Sequence, residues 1–306
     1  MKPSSYEQTA LREIEIWKSP AQGWFGKALE LVSLPIDKAG ELAMKTPGVG
    51  WVLEKSVGGI VSVANDVAQW SVRPDAIYAE YRKAGHAVSS PTDIHRLDLE
   101  NVDRAIGWLG AKYKGIALTE GAASGAAGLP GIPVDIAALI TLNLRGIGEY
   151  ATYVGFDTSS QHERLFAMNV LGLASSPTDA AKMVAMAQLV KIAQAVATKK
   201  TWQVLEQHAF VAVIRQIAKA LSIRLTKAKL AQVLPAAGAV VGGGFNAYYT
   251  DKVCDAAFYL YRERFLAAKY GPEYVKMSLK EAASYDAGYA TEAEGFPEGS
   301  TPPPGV

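Results

Sequence analysis

Apolar residues recur at spacings of three and four along almost the whole chain, and sustained period-two alternation is nearly absent. That pattern predicts an all-α protein, a multi-helix bundle of about ten helices. The expected helices cover residues 6–18, 24–45, 49–70, 73–85, 98–113, 115–129, 133–153, 160–174, 176–198 and 202–222, with a final helical region over 225–270. Pro47 stops the second helix, and Gly58 with Gly59 weakens the middle of the third. The run Ser89, Ser90, Pro91, Thr92, Asp93 reads as a loop. Pro133 suits the first turn of its helix. Ser160 and Glu163 have the spacing of a capping box, in which each residue's side chain bonds the other's backbone N–H. The organisation read from this is an N-terminal segment over 1–22, one helical domain over 23–282, and an acidic, proline-rich disordered tail over 283–306.

Two segments break the ordinary pattern, being built of glycine and alanine: 115–129 and 235–246. Gly121 and Gly125 sit four residues apart in the first, Gly238 and Gly242 in the second. Arg145 precedes Tyr153 by eight residues, as Arg262 precedes Tyr270. The echo suggests an internal repeat and two Gly/Ala-rich central helical hairpins. Small residues let backbones approach closely, in a protein core or in lipid. Two readings therefore stand: a buried central helix pair, or a segment that enters or lies on a bilayer. Trp24 and Phe25 beside Lys27 suit an interfacial position on an amphipathic helix, and are the candidate membrane contact. The alternative is that such tryptophans close the bundle core.

Composition narrows the partners. Lys plus Arg number 31 against 30 Asp plus Glu, so no net field attracts nucleic acid, and none is expected as a partner. Mean hydropathy is +0.06. One cysteine, Cys254, excludes an internal disulfide and fits a reducing compartment. The first 17 residues lack the apolar core of a signal peptide, and no strongly apolar run of membrane-spanning length is expected. The expected location is the cytoplasm, with a peripheral place at the inner membrane.

Candidate chemistry is sparse. The four histidines, His86, His95, His162 and His208, include no pair with metal-ligand spacing on one helical face. His162 at a helix N-terminus is disfavoured as a cation, and reads as a first-turn surface residue rather than a catalytic one. Asp135 suits the helix dipole after Pro133; otherwise it faces Arg145 or the second small-residue helix. Asp251 and Asp255 bracket Cys254, with Arg262 and Arg264 downstream, a spacing that favours a core ion-pair network over an acid/base pair. Gly242 to Gly244 lacks the Lys-Ser/Thr of a phosphate loop. No catalytic set, metal site or cofactor site is expected.

Several of these residues together resemble the EcsC family. The Gly-rich segment is followed by Pro-Val-Asp at Pro133 to Asp135, by Tyr-x-Gly-Phe-Asp at Tyr153 to Asp157, and by Glu163 and Arg164 before an apolar helix. The C-terminal run from Pro235 to Phe265 resembles the end of the same family. The resemblance implies a bacterial protein named for a gene neighbour of an ABC transporter. Its matching positions, Asp135, Tyr153, Gly155, Asp157, Glu163, Arg164 and Asn246, are implied to be structural anchors. With Arg145, His162 and Asp251 they form the set of polar candidates. Three functions are open at this point: a non-catalytic protein at or near the inner membrane surface, accessory to an ABC transporter; a soluble interaction protein; and a hydrolase using Asp135, His162 or Glu163. Oligomeric state is not encoded in any visible pattern.

Overall fold

The computed structural model describes residues 2–18, 44–66, 72–124, 128–176, 189, 207–233, 244–271 and 273. Every regular element among them is helical. In chain order these are α1 (Ser5–Lys18), α2 (Val49–Asn65), α3 (Pro74–Lys83), α4 (Pro91–Ile94), α5 (Leu99–Ile106), α6 (Leu109–Ser124), α7 (Gly128–Tyr153), α8 (Gln161–Ala174), α9 (Gln207–Val233) and α10 (Gly244–Tyr270). The expected helices over 24–45 and 176–198 and the tail over 283–306 lie outside the described residues, as do Trp24, Phe25 and Lys27.

α7 is the central helix. It packs against α2, α3, α5, α6, α8, α9 and α10. Its residues Ile136, Leu139, Ile140, Leu144 and Ile147 are buried at the three- and four-residue spacing of one apolar face. α10 lies along α6 and α7, while α2 bridges α7 and α9. The N-terminal helix α1 buries only Glu7, Ala10 and Ile14, and rests on α10 and α5.

Local backbone chemistry sets the helix ends. Gly155 (φ +83°) ends α7: the Phe156 N–H donates to the Ala151 carbonyl at 2.8 Å and the Gly155 N–H to Thr152 at 3.1 Å. Those two bonds are a Schellman motif, which needs a left-handed residue at Gly155. A Cβ there would also lie 2.6 Å from the Pro91 carbonyl oxygen, so only glycine fits.

Four expectations are corrected. The single helix over 98–113 is two, because Gly107 (φ +50°) breaks it and α6 starts afresh at Leu109. The loop at 89–93 holds the short helix α4, with Pro91 in its first turn. α7 begins at Gly128, so Pro133 lies inside the helix rather than opening it. α9 runs unbroken through Ser222 to Val233, and the Ser222 hydroxyl donates to the Leu53 carbonyl of α2 at 3.2 Å.

Of the two expected hairpins, the second has its Gly/Ala-rich arm over 235–243 outside the described residues. α6 and α7 do form a packed antiparallel pair: Lys112 bonds Glu149 at 2.8 Å, and Gly146 lies against the Tyr113 ring. α9 lies on α2, α8 and α7, and α10 on α6 and α7. Within α7, Leu129–Tyr153 is long and apolar enough to cross a membrane by length and composition, with a mean hydropathy of 1.2 over its best window. The expectation of no such run therefore fails for this helix. Even so, 61% of that window is buried inside the bundle.

Candidate functional site

Asp135, Lys229 and Asn246 meet where α7, α9 and α10 converge. Lys229 Nζ lies 2.5 Å from Asp135 Oδ2 and donates a second hydrogen bond to Asn246 Oδ1. Asn246 Nδ2 completes the ring by donating to Asp135 Oδ1 at 3.4 Å. Lys229 and Asn246 are buried. Burial pushes the Lys229 ammonium below its ordinary range, and the Asp135 carboxylate opposes that shift only in part. α6 closes over the ring at Gly121. A Cβ there would sit 2.9 Å from Asn246 Nδ2 and 3.0 Å from Asn246 Cβ, so the close approach requires glycine. On the neighbouring turn, burial and then the Asp135 charge raise the Glu120 carboxyl.

Asp135 was expected to serve the helix dipole or to face Arg145. Because α7 begins at Gly128, Asp135 lies about two turns inside, beyond the reach of the N-terminal amides. Arg145 is exposed. Of the two named partners for Asp135, the structure therefore selects the start of α10, through Asn246.

A second network centres on Arg264 of α10. Its guanidinium bonds both carboxylate oxygens of Glu163 on α8, through Nη1 at 2.7 Å and through Nη2. The Phe156 and Phe166 rings cover it at 4.0 and 4.2 Å, and Tyr261 donates to Glu163 at 3.2 Å. Arg264 and Glu163 are both buried. This corrects the capping box. Ser160 does cap α8 by accepting from the Glu163 N–H at 3.2 Å. The Glu163 carboxylate does not return to Ser160, whose N–H bonds the Asp157 carbonyl instead.

The Tyr-x-Gly-Phe-Asp segment acquires a physical account from these contacts. Tyr153 donates to Glu80, and its carbonyl accepts from Tyr81 at 2.6 Å. Gly155 ends α7, and Phe156 covers Arg264. Asp157 accepts from the Ser159 N–H at 2.9 Å and from its hydroxyl at 2.8 Å, forming the turn into α8.

The remaining candidates are dispersed. His162 and Arg164 are half-buried in the first turn of α8, and burial lowers the Arg164 guanidinium. Asp251 pairs with Lys114 of α6 at 3.1 Å. Asp135 and Glu163, two of the three residues named for hydrolysis, are committed to separate networks. Among the described residues, no three His, Cys, Asp or Glu side chains converge to hold a metal. Burial pushes the Cys254 thiol up to about 12, so it is inert at neutral pH.

Sequence reasoning missed Lys229 and the exposed end of the α6–α7 pair. Lys229 lies in a helix with several other lysines and arginines, and nothing in spacing distinguishes it from Lys227 or Lys219. Leu118 is 51% exposed, Val134 73% and Ile116 37%, toward the end where α6 gives way to α7. Trp108, just before α6, is 87% exposed.

The fold and these networks define an all-helical bundle protein in which the Asp135 and Glu163 carboxylates are held by long-range ion pairs. The sequence pattern of the EcsC protein family matches residues 8–266, and the chain belongs to that family. It is similar to the uncharacterized protein YdbA of Bacillus subtilis (strain 168), with 24% identity over 259 residues, covering 83% of this chain and 90% of YdbA. No solved structure matches the chain.

Proposed function

We propose that this protein is a non-catalytic helical accessory that docks reversibly on the cytoplasmic face of the inner membrane, with the exposed end of the α6–α7 pair entering the lipid. The observation that carries this reading is the exposure of three apolar side chains toward that end, Ile116, Leu118 and Val134, on a pair whose second helix is itself apolar enough for lipid. Trp108 lies ten residues before Leu118, or about 15 Å along a helix. That is about half of a ~30 Å hydrocarbon core, so Trp108 reaches the headgroup level when Leu118 lies near mid-bilayer. Lys112 and Lys114 between them carry half-exposed ammonium groups, paired with Glu149 and Asp251, which hold that zone polar. The family resemblance adds an ABC transporter as the neighbour in that membrane.

Co-sedimentation with vesicles of phosphatidylcholine, with and without phosphatidylglycerol, tests the reading. Binding that survives high salt is expected, because apolar insertion is not screened. Leu118→Glu or Val134→Glu should weaken it by roughly tenfold or more. Absence of binding at every composition would end the membrane reading in favour of a soluble interaction protein.

A further inference from the structure

α9 carries five Lys and Arg residues and no Asp or Glu over 27 residues, in a chain whose charges otherwise nearly balance. Three of the five are engaged within the bundle. Lys229 pairs with Asp135, and Arg224 donates to the Gly172 carbonyl and the Ser175 hydroxyl at the end of α8. Lys227 is half-buried and makes an interaction of its own. Arg215 and Lys219 remain. They stand one turn apart on the exposed side of α9, and among the described residues no carboxylate pairs with either. On the adjoining helix α2, exposed Glu54 is matched by exposed Lys55, so α9 leaves this surface cationic.

Asn246 gives a common reference for depth. Gly121 of α6 and Lys229 of α9 both approach it, and both helices lead away from it toward their N-termini. A rise of 1.5 Å per residue puts Trp108 about 20 Å from that level along α6, Lys219 about 15 Å and Arg215 about 21 Å along α9. α2 runs in the same direction as α9. Gly59 and Lys229 meet the first half of α7 at Ala137 and Asp135, and Leu53 and Ser222 bond each other further back. Trp51, two residues before Leu53, therefore falls near the level of Lys219, and it is half exposed. Aromatic and basic side chains gathered at one depth match the membrane–water interface.

We propose that Arg215 and Lys219 of α9 bind the headgroups of anionic phospholipid and so set the depth and rotation of the docked bundle. The depth rests on the docking reading above; the attraction of α9 for anionic lipid does not. Each Lys or Arg close to an anionic surface strengthens attachment by roughly fivefold, within about a Debye length.

The test measures binding of the full chain to vesicles of phosphatidylcholine alone and of 3:1 phosphatidylcholine/phosphatidylglycerol at low salt. It compares the unsubstituted chain, R215Q/K219Q and the control K83Q/R96Q, with circular dichroism to confirm that all three fold. Lys83 and Arg96 are exposed cations at the opposite end of the bundle, where Tyr81 bonds the Tyr153 carbonyl and Lys269 bonds the Leu97 carbonyl. The unsubstituted chain and the control should gain roughly tenfold or more in affinity from phosphatidylglycerol. R215Q/K219Q should lose most of that gain while binding phosphatidylcholine unchanged. A gain that survives in R215Q/K219Q, that is lost equally in the control, or that is absent from the unsubstituted chain overturns the α9 proposal, and the docking reading stands if phosphatidylcholine still binds. Binding that requires phosphatidylglycerol and is lost only in R215Q/K219Q upholds α9 and overturns insertion of the apolar end. No binding to either vesicle overturns both.

Discussion

Arg264 and Glu163 form a two-pronged ion pair between α10 and α8 across 101 residues of sequence, with both side chains buried. Glu163→Gln keeps the shape but leaves the guanidinium uncompensated between two aromatic rings. The variant should lose about 3 kcal/mol or more of stability. Replacing both partners with apolar residues, Glu163→Leu with Arg264→Met, should cost less than the single change. Urea denaturation of the two variants checks the order.

Glu7 anchors α1 and responds to acid. Burial works to raise its carboxyl, but bonds from Tyr270 at 2.6 Å, Lys269 at 2.9 Å and the Ser4 N–H at 2.8 Å together hold it below its ordinary value. A carboxyl lowered in the folded state contributes stability that is present above its unfolded pKa of about 4.3 and lost as pH falls through the folded value. Hydrogen exchange over Ser5–Lys18 should therefore accelerate below about pH 4. Glu7→Gln should show weaker protection of α1 at neutral pH and a smaller change on acidification.

Asp255 behaves in the opposite sense. Burial, and then the Asp251 charge, raise its carboxyl to about 6. The folded state then binds more protons than the unfolded one between about pH 4 and 6, so stability falls as pH rises through that window. Asp255→Asn should be more stable than the parent above pH 6, by about 1 kcal/mol after allowance for solvent screening. The two should converge near pH 4, as thermal melts across pH will report.

Gly121 and Gly58 should respond to alanine with opposite signs. At Gly121 the new methyl meets Asn246 at 2.9 Å, and Asn246 is held in a ring that cannot yield cheaply. Gly121→Ala should destabilise by about 1–3 kcal/mol. Gly58 lies in the middle of α2 with no atom within 4 Å of a new Cβ. Gly58→Ala should stabilise by about 0.5–1 kcal/mol. Melting temperatures of the pair decide it.

Trp108, at 87% exposure, is a reporter for the membrane reading. Its emission should shift to the blue on adding vesicles, and Trp108→Phe should remove most of that shift while leaving the helical circular dichroism unchanged. An emission spectrum indifferent to lipid would count against docking by this end.

The helical periodicity of the sequence carries the fold class, because burial of a stripe at every third and fourth residue is written locally. The Ser160 cap and the bounds of α1, α3 and α8 are legible for the same reason, to within a residue or two at most ends. Gly107 was passed over because its neighbours keep the apolar spacing on both sides, and only the backbone angle shows the break. The polar anchors were found as residue types without their partners. Glu163 satisfies the spacing of a capping box, and Asp135 that of a dipole carboxylate, yet each turns to a cation about a hundred residues away.

What the sequence by itself determined is therefore the helices, their apolar faces, and the family. Which cation each buried carboxylate takes, which glycine must admit a neighbour, and which end of α6–α7 faces solvent were decided by the tertiary structure alone. Helix formation depends on neighbours within a turn or two, whereas these pairings depend on which helices come to rest beside one another.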